Sequence, residues 1–103
     1  MKHNDDNFLL DQLKTGDVAA YEQLFKRYYK LLNLHAYYIL KDEMEAEDQV
    51  QSLFIEIWDK QLYHHIRSSV KSYLYTAIKN KCLIALEKKK VNNKRLNRYV
   101  STL

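Results

Sequence analysis

Proline is missing from this sequence altogether, and Gly16 is its only glycine. The residues that most often break helices or shape tight hairpins are therefore almost absent. Long helices joined by short polar links follow from that lack. A single cysteine, Cys82, excludes an internal disulfide; it is expected to act as a small buried hydrophobe rather than a reactive thiol. No apolar run approaches the roughly 20 residues needed to cross a bilayer. The opening MKHNDDN lacks the apolar centre of a secretory signal, so the chain is expected in the cytoplasm, away from membranes. There is no glycine-rich loop to cradle a nucleotide phosphate. Histidines at a metal-binding spacing are lacking too: His64 and His65 are adjacent, and adjacent side chains do not share a helix face. The Glu47-Asp48 pair has the character of solvated carboxylates on an exposed helix. No catalytic residue, metal or cofactor is expected.

What is present is enough for one folded unit. The 103 residues are 47% hydrophobic and 29% charged, the balance of a soluble domain with a single core. Net charge is +4, but its distribution is uneven. Between Lys41 and Asp59 seven acidic residues face one basic residue, a balance of −6. Between Lys71 and Arg98 nine basic residues face only Glu87, a balance of +8. Surfaces of opposite sign suit different partners, a basic protein element for the first and a polyanion for the second.

Hydrophobic spacing predicts an all-α bundle of three main helices preceded by a short N-terminal one. The short helix, Asn7-Phe-Leu-Leu-Asp-Gln-Leu-Lys, ends at Thr15-Gly16, where glycine suits a helix C-terminal turn. Asp17 then has the chemistry of an N-cap. Val18, Tyr21, Phe25, Tyr28, Leu32, His35 and Ile39 follow at intervals of three and four, the seam expected of a helix packed along its length. His35, on that seam, is expected to be a satisfied core histidine. An acidic link, Lys41-Asp-Glu-Met, leads to a third helix from about Glu45 to Lys60. Its inward face is Ala46, Val50, Leu53, Phe54 and Ile57; Glu45, Asp48, Gln51, Ser52, Ile55 and Asp59 are expected toward the opposite side, with Ile55 apolar among polar residues. Gln61 to Ser69 has no period and is expected to be a loop, with Ser68 or Ser69 capping a fourth helix from about Val70 to Lys89. There Leu74, Ala77, Ile78, Cys82 and Ala85 are expected to face the core, and lysines 71, 79, 81, 88, 89 and 90 to face water. The basic run VNNKRLNRYVSTL is a frayed extension of that helix or the start of a linker.

The fourth helix gathers what single-strand binding requires. Lysines neutralise phosphates, tyrosine faces stack on unpaired bases, and the Asn80 amide can read a base edge. The preceding loop is positioned to receive an extruded base. Tyr73 and Tyr75 are two apart and cannot both face the same way, so one of them is expected to belong to the core.

Three segments, taken in order, resemble the extracytoplasmic-function sigma factors of bacterial RNA polymerase, region 2. Lys14-Thr-Gly-Asp17 with Ala20-Tyr-Glu-Gln-Leu-Phe-Lys-Arg-Tyr28 resembles the family's opening helices. Ala46-Glu-Asp-Gln-Val-Gln51 with Phe54-Ile-Glu-Ile-Trp58 is similar to its core-binding helix, and Ser69-Val-Lys-Ser-Tyr-Leu-Tyr-Thr-Ala-Ile-Lys-Asn-Lys-Cys-Leu83 to its promoter-recognition helix. The resemblance runs from about Phe8 to Lys90. Ile84 departs from it, standing where many relatives carry a polar residue.

The resemblance implies a non-catalytic domain over residues 1–90 that docks on the β′ coiled coil of core polymerase through Glu47, Asp48, Gln51 and Ile55. It further implies capture of the non-template strand of the promoter −10 element by His64, Arg67, Ser69, Tyr73, Tyr75, Lys79, Asn80, Lys81 and Lys88. An anti-sigma factor is an expected further partner. The family's second domain, a helix-turn-helix that reads the −35 element, is not found in residues 91–103, and the chain is expected to be one domain of a longer protein. The rival reading is a helical protein-interaction module without sequence-specific DNA binding, whose lysines serve solubility.

Overall fold

The computed structural model describes residues 5–101, which form four α-helices and one short 3₁₀ turn: α1 (Asp6–Lys14), α2 (Val18–Leu40), α3 (Glu43–Asp59), the turn (Leu62–His65) and α4 (Val70–Ser101). The all-α bundle expected from the sequence is what the chain forms. Residues 1–4 of the MKHNDDN opening, and residues 102 and 103 of the basic run, lie outside the described residues.

Local chemistry sets the helix ends. Asp5 accepts from the Phe8 amide, Asp17 from those of Ala19 and Ala20, and Asp42 from that of Glu45. Each satisfies donors that a helix start leaves without partners. Ser69 does the same for α4, its hydroxyl accepting from Ser72 N at 3.0 Å. Between α1 and α2 the chain turns at Gly16, whose φ of +87° suits a residue without Cβ. Gly16 N donates to Leu13 O and Asp17 N to Gln12 O, the paired bonds of a Schellman motif. Asp17 thus completes one helix and caps the next. The Asp42 cap starts α3 two residues earlier than the expected Glu45, so part of the acidic link is helical.

α2 is the hub, packing against α1, α3 and α4. Its buried line is Ala20, Leu24, Tyr28, Leu32, Ala36 and Leu40. This corrects the seam drawn from the sequence. Tyr28 and Leu32 are shared, Tyr21, Phe25 and Ile39 flank the core half-buried, His35 is half-buried, and Val18 is 53% exposed. Ala20 and Ala36 are buried although small, which a reading weighted toward large side chains overlooks. Facing α2 are Leu9, Leu10 and Leu13 of α1, the expected five residues of α3, and Val70, Leu74, Ile78 and Cys82 of α4. Burial of each large aliphatic side chain contributes about 1.5–3 kcal/mol.

α4 outruns the bundle. Among the described side chains Cys82 is its last buried one and Leu86 its last half-buried one, yet the helix continues to Ser101, well past the expected Lys89. No helix among the described residues is long and apolar enough to cross a membrane.

Candidate functional site

The acidic strip of α3 is built by burial of its opposite face. With Ala46, Val50, Leu53, Phe54 and Ile57 inside, helical geometry turns Glu47, Asp48, Gln51 and Ile55 outward, and all four are exposed. Ile55, 57% exposed, is an apolar contact point within a charged strip. Glu47 also accepts from the Tyr29 hydroxyl of α2 at 3.1 Å, which steadies one end of the strip. Beside it lies a groove that the sequence did not disclose, lined by Lys30, Asn33, Leu34 and Tyr37 of α2 and Glu43, Ala46 and Glu47 of α3. The Asn33 Oδ1 is buried without a partner among the described residues. Finding this groove requires the register between two helices, which no single-helix pattern contains.

The segment between α3 and α4 is more ordered than the loop expected there. Gln61 adopts a left-handed conformation, with φ of 52°, and the 3₁₀ turn follows. Tyr63, Ile66 and Val70 are buried and pin the segment to the bundle, leaving His64, His65, Arg67, Ser68 and Ser69 exposed. The Tyr63 ring lies between Trp58, centroids 6.4 Å apart, and His64, centroids 4.7 Å apart. Of the expected contact residues, Ser69 uses its hydroxyl in the α4 cap, while His64 of the turn and Arg67 after it are exposed on the anchored segment.

On α4 the expected residues divide among three directions. Lys79, Asn80 and Lys88 are exposed, and the two lysines make no ion pair among the described residues. Tyr75 turns toward α2, its ring edge-on to His35 with centroids 5.2 Å apart. Tyr73 and Lys81 turn toward α3. The two tyrosines do diverge, and both are half-buried.

Lys81 does not stand free in water as expected. Its Nζ donates to Glu56 Oε1 at 2.6 Å, and Ser52 Oγ lies 3.4 Å from the same oxygen. The Lys81 hydrogen bond holds the Glu56 carboxyl below its ordinary range; burial opposes this, and the charges of Lys81 and Lys60 reinforce it. Burial, with the Glu56 charge, raises the Tyr73 phenol above its usual value. A second, looser pair joins Lys89 to Glu45 at 3.4 Å. The acidic and basic helices are thus tied together by two pairs of the charges that the sequence separates into opposite blocks. Nothing in either helix alone signals these pairs.

No group of three or more His, Cys, Asp or Glu side chains is placed to hold a metal ion among the described residues. The arrangement offers an acidic strip with an apolar point on one helix, and amide, aromatic and cationic groups on the next. Residues 24–91 match the family model described as Sigma-70 region 2. No curated protein and no solved structure matches the chain.

Proposed function

The chain belongs to the Sigma-70 region 2 family, and from that premise we propose that it is the polymerase-binding and promoter-melting domain of an extracytoplasmic-function sigma factor. The observation that carries this reading is the placement of two surfaces of opposite character on successive helices of one bundle. Exposed Asp48, Gln51 and Ile55 lie on α3, and exposed Lys79, Asn80 and Lys88 lie on α4. A protein partner and a nucleic-acid strand can therefore be held at once.

In this reading Glu47, Asp48 and Gln51 make polar contacts with the β′ coiled coil, and Ile55 supplies the apolar one. Non-covalent capture then does the work. Lys79 and Lys88 attract the strand's phosphates, Asn80 reads a base edge, and an unstacked base of the −10 non-template strand is received beside the anchored segment bearing His64 and Arg67. Unstacking costs a few kcal/mol, so these contacts together must offset that much. Melting is a population shift: the domain binds the opened strand better than the duplex. Tyr73 contributes a half-buried ring edge; Tyr75, turned toward His35, supports the α2 side of α4. An anti-sigma factor would act by covering the α3 strip. Residues 1–90 form the functional unit, and the helical run after Lys90 leads away from it.

The test is a pull-down of this domain with purified β′ coiled-coil fragment, using Asp48→Arg as the contrast. Binding that the substitution abolishes, with helical circular dichroism intact, supports the polymerase assignment. Failure of the unaltered domain to bind at low salt favours a general helical interaction module instead. For the strand, Asn80→Ala should weaken binding to the cognate −10 strand more than to a scrambled one, whereas Lys79 and Lys88 substitutions should weaken both alike. Equal loss on both strands for Asn80→Ala would remove base reading from that position.

A further inference from the structure

Lys81 and Lys88 line one shallow groove with Gln49, Ile84 and Ala85, at the seam where α3 meets α4. Two ammonium groups beside one groove are what a phosphate of a bound strand would seek. They are not equivalent. Lys88 makes no ion pair among the described residues, whereas Lys81 is engaged by Glu56 at 2.6 Å, with side chains only 22% and 35% exposed. Glu56 comes from the helix that carries the acidic strip, but it lies on that helix's α4-facing side, apart from Glu47, Asp48 and Gln51. Ser52 and Lys60 reinforce its charged form.

We propose that Glu56 is a specificity-setting positioning residue: it holds Lys81 on the α3 side, so that a strand gains this cation only by displacing a carboxylate. This inference rests on the strand-binding reading above. A strand that offers phosphates alone meets Lys88 and Lys79 beside a Lys81 that is already neutralised. A strand that also places a base against Asn80 and the turn gains enough to release Lys81 from Glu56. The contact withheld by the pair weakens every strand, but at a concentration that still saturates the strand with base contacts, only the phosphate-only strand loses occupancy. The same placement leaves Glu56 out of polymerase docking, so the two surfaces can be tuned separately.

The experiment measures binding of a fluorescent oligo-dT strand, and of a mixed-sequence strand of the same length, to the intact chain and to Glu56→Gln across a salt series. Glu56→Gln should bind oligo-dT about 3–10-fold more tightly at low salt. Its log–log salt slope should be steeper by about 0.7, the value of one added phosphate contact on a single strand. Lys81→Gln should cost more in the Glu56→Gln background than in the unaltered chain. On the unaltered chain, NMR titration should show the Glu56 carboxyl titrating higher in the complex saturated with the cognate −10 strand than in the free domain, a readout independent of any substitution. Equal affinity and slope for the two chains, or a Glu56 titration unmoved by the cognate strand, would overturn the role of Glu56 alone. Absence of strand binding by both chains would instead overturn the strand-binding reading, and this inference with it.

Discussion

The buried Tyr28 of α2 donates its hydroxyl to the Asp6 carboxylate in the first turn of α1, across 22 residues of sequence. Arg27 Nη1 holds the other oxygen of the same carboxylate at 2.7 Å. Consecutive residues of one helix thus grip a single acid on another. α1 has only nine residues, too few to persist alone in water. This grip, with Leu9, Leu10 and Leu13, fixes it on α2.

Removing the hydroxyl should therefore be felt. Tyr28→Phe is expected to lower stability by about 1–2 kcal/mol in urea denaturation, the range for a hydrogen bond to a charged acceptor. It should also change the alkaline limb. Burial, then the hydrogen bond to Asp6, raises the Tyr28 phenol well above its ordinary value of 10.0. The folded chain keeps a proton that the unfolded chain releases, so this contribution is complete below pH 10 and fades as pH rises further. Stability of Tyr28→Phe should fall less steeply above pH 10. An unchanged alkaline slope would separate Tyr28 from that limb.

The corrected register of α2 makes a paired prediction. Ala36 is 0% exposed and Val18 is 53% exposed. Ala36→Leu should cost about 1–3 kcal/mol by overpacking a closed site. Val18→Ala should change stability by less than about 0.5 kcal/mol, as exposed substitutions do. The seam drawn from sequence demands the reverse ranking for Val18, so thermal denaturation of the two variants decides between them.

That contrast shows what the sequence held. α3 was legible because its apolar residues stand out from a polar background, and Ala46, Val50, Leu53, Phe54 and Ile57 are the residues it buries. Asp17 and Gly16 were legible because capping chemistry is local. α2 was ambiguous because its later half is apolar on nearly every side, with Leu31, Leu34, Tyr37 and Tyr38 all exposed. There the choice of face belongs to the neighbouring helices. Of the candidate site, period alone put Asp48, Gln51 and Ile55 on the outer side of α3, but also Glu45 and Ser52, which are half-buried beside α4, while Glu47 came from the family resemblance. The Lys81–Glu56 pair and the divergence of Tyr73 toward α3 and Tyr75 toward α2 depend on how α2, α3 and α4 meet.

Gln61 offers a test of backbone strain. It holds φ at 52° without glycine, at the junction from α3 to the 3₁₀ turn. A left-handed conformation costs an ordinary residue about 1–2 kcal/mol, and glycine loses part of that advantage through its freer unfolded chain. Gln61→Gly should therefore stabilise the domain by about 0.5–1 kcal/mol, seen as a higher melting temperature. A lower one would mean that the Gln61 side chain contributes more than the strain removes.

The thiol supplies a probe of the core. Cys82 is 0% exposed, and burial raises its ionisation above the ordinary thiol value while the Lys81 charge opposes the shift. Reaction with a thiol reagent should be far slower in native buffer than in denaturant, and should accelerate along the unfolding curve, since the thiolate is the reacting species. Rapid labelling of the native chain would contradict this packing.

Because α4 continues beyond Leu86 with no buried residue among the described side chains, its last turns follow a different law from the rest of the molecule. The bundle unfolds as one cooperative unit, while a solvated helical extension obeys helix–coil statistics and shortens gradually on warming. Far-ultraviolet ellipticity should therefore slope downward before the main transition, while the signal of Trp58, lodged against Tyr21 in the bundle, stays level until the cooperative step. Amide hydrogens after Leu86 should exchange through local fraying, and those around Ile78 only through opening of the whole bundle.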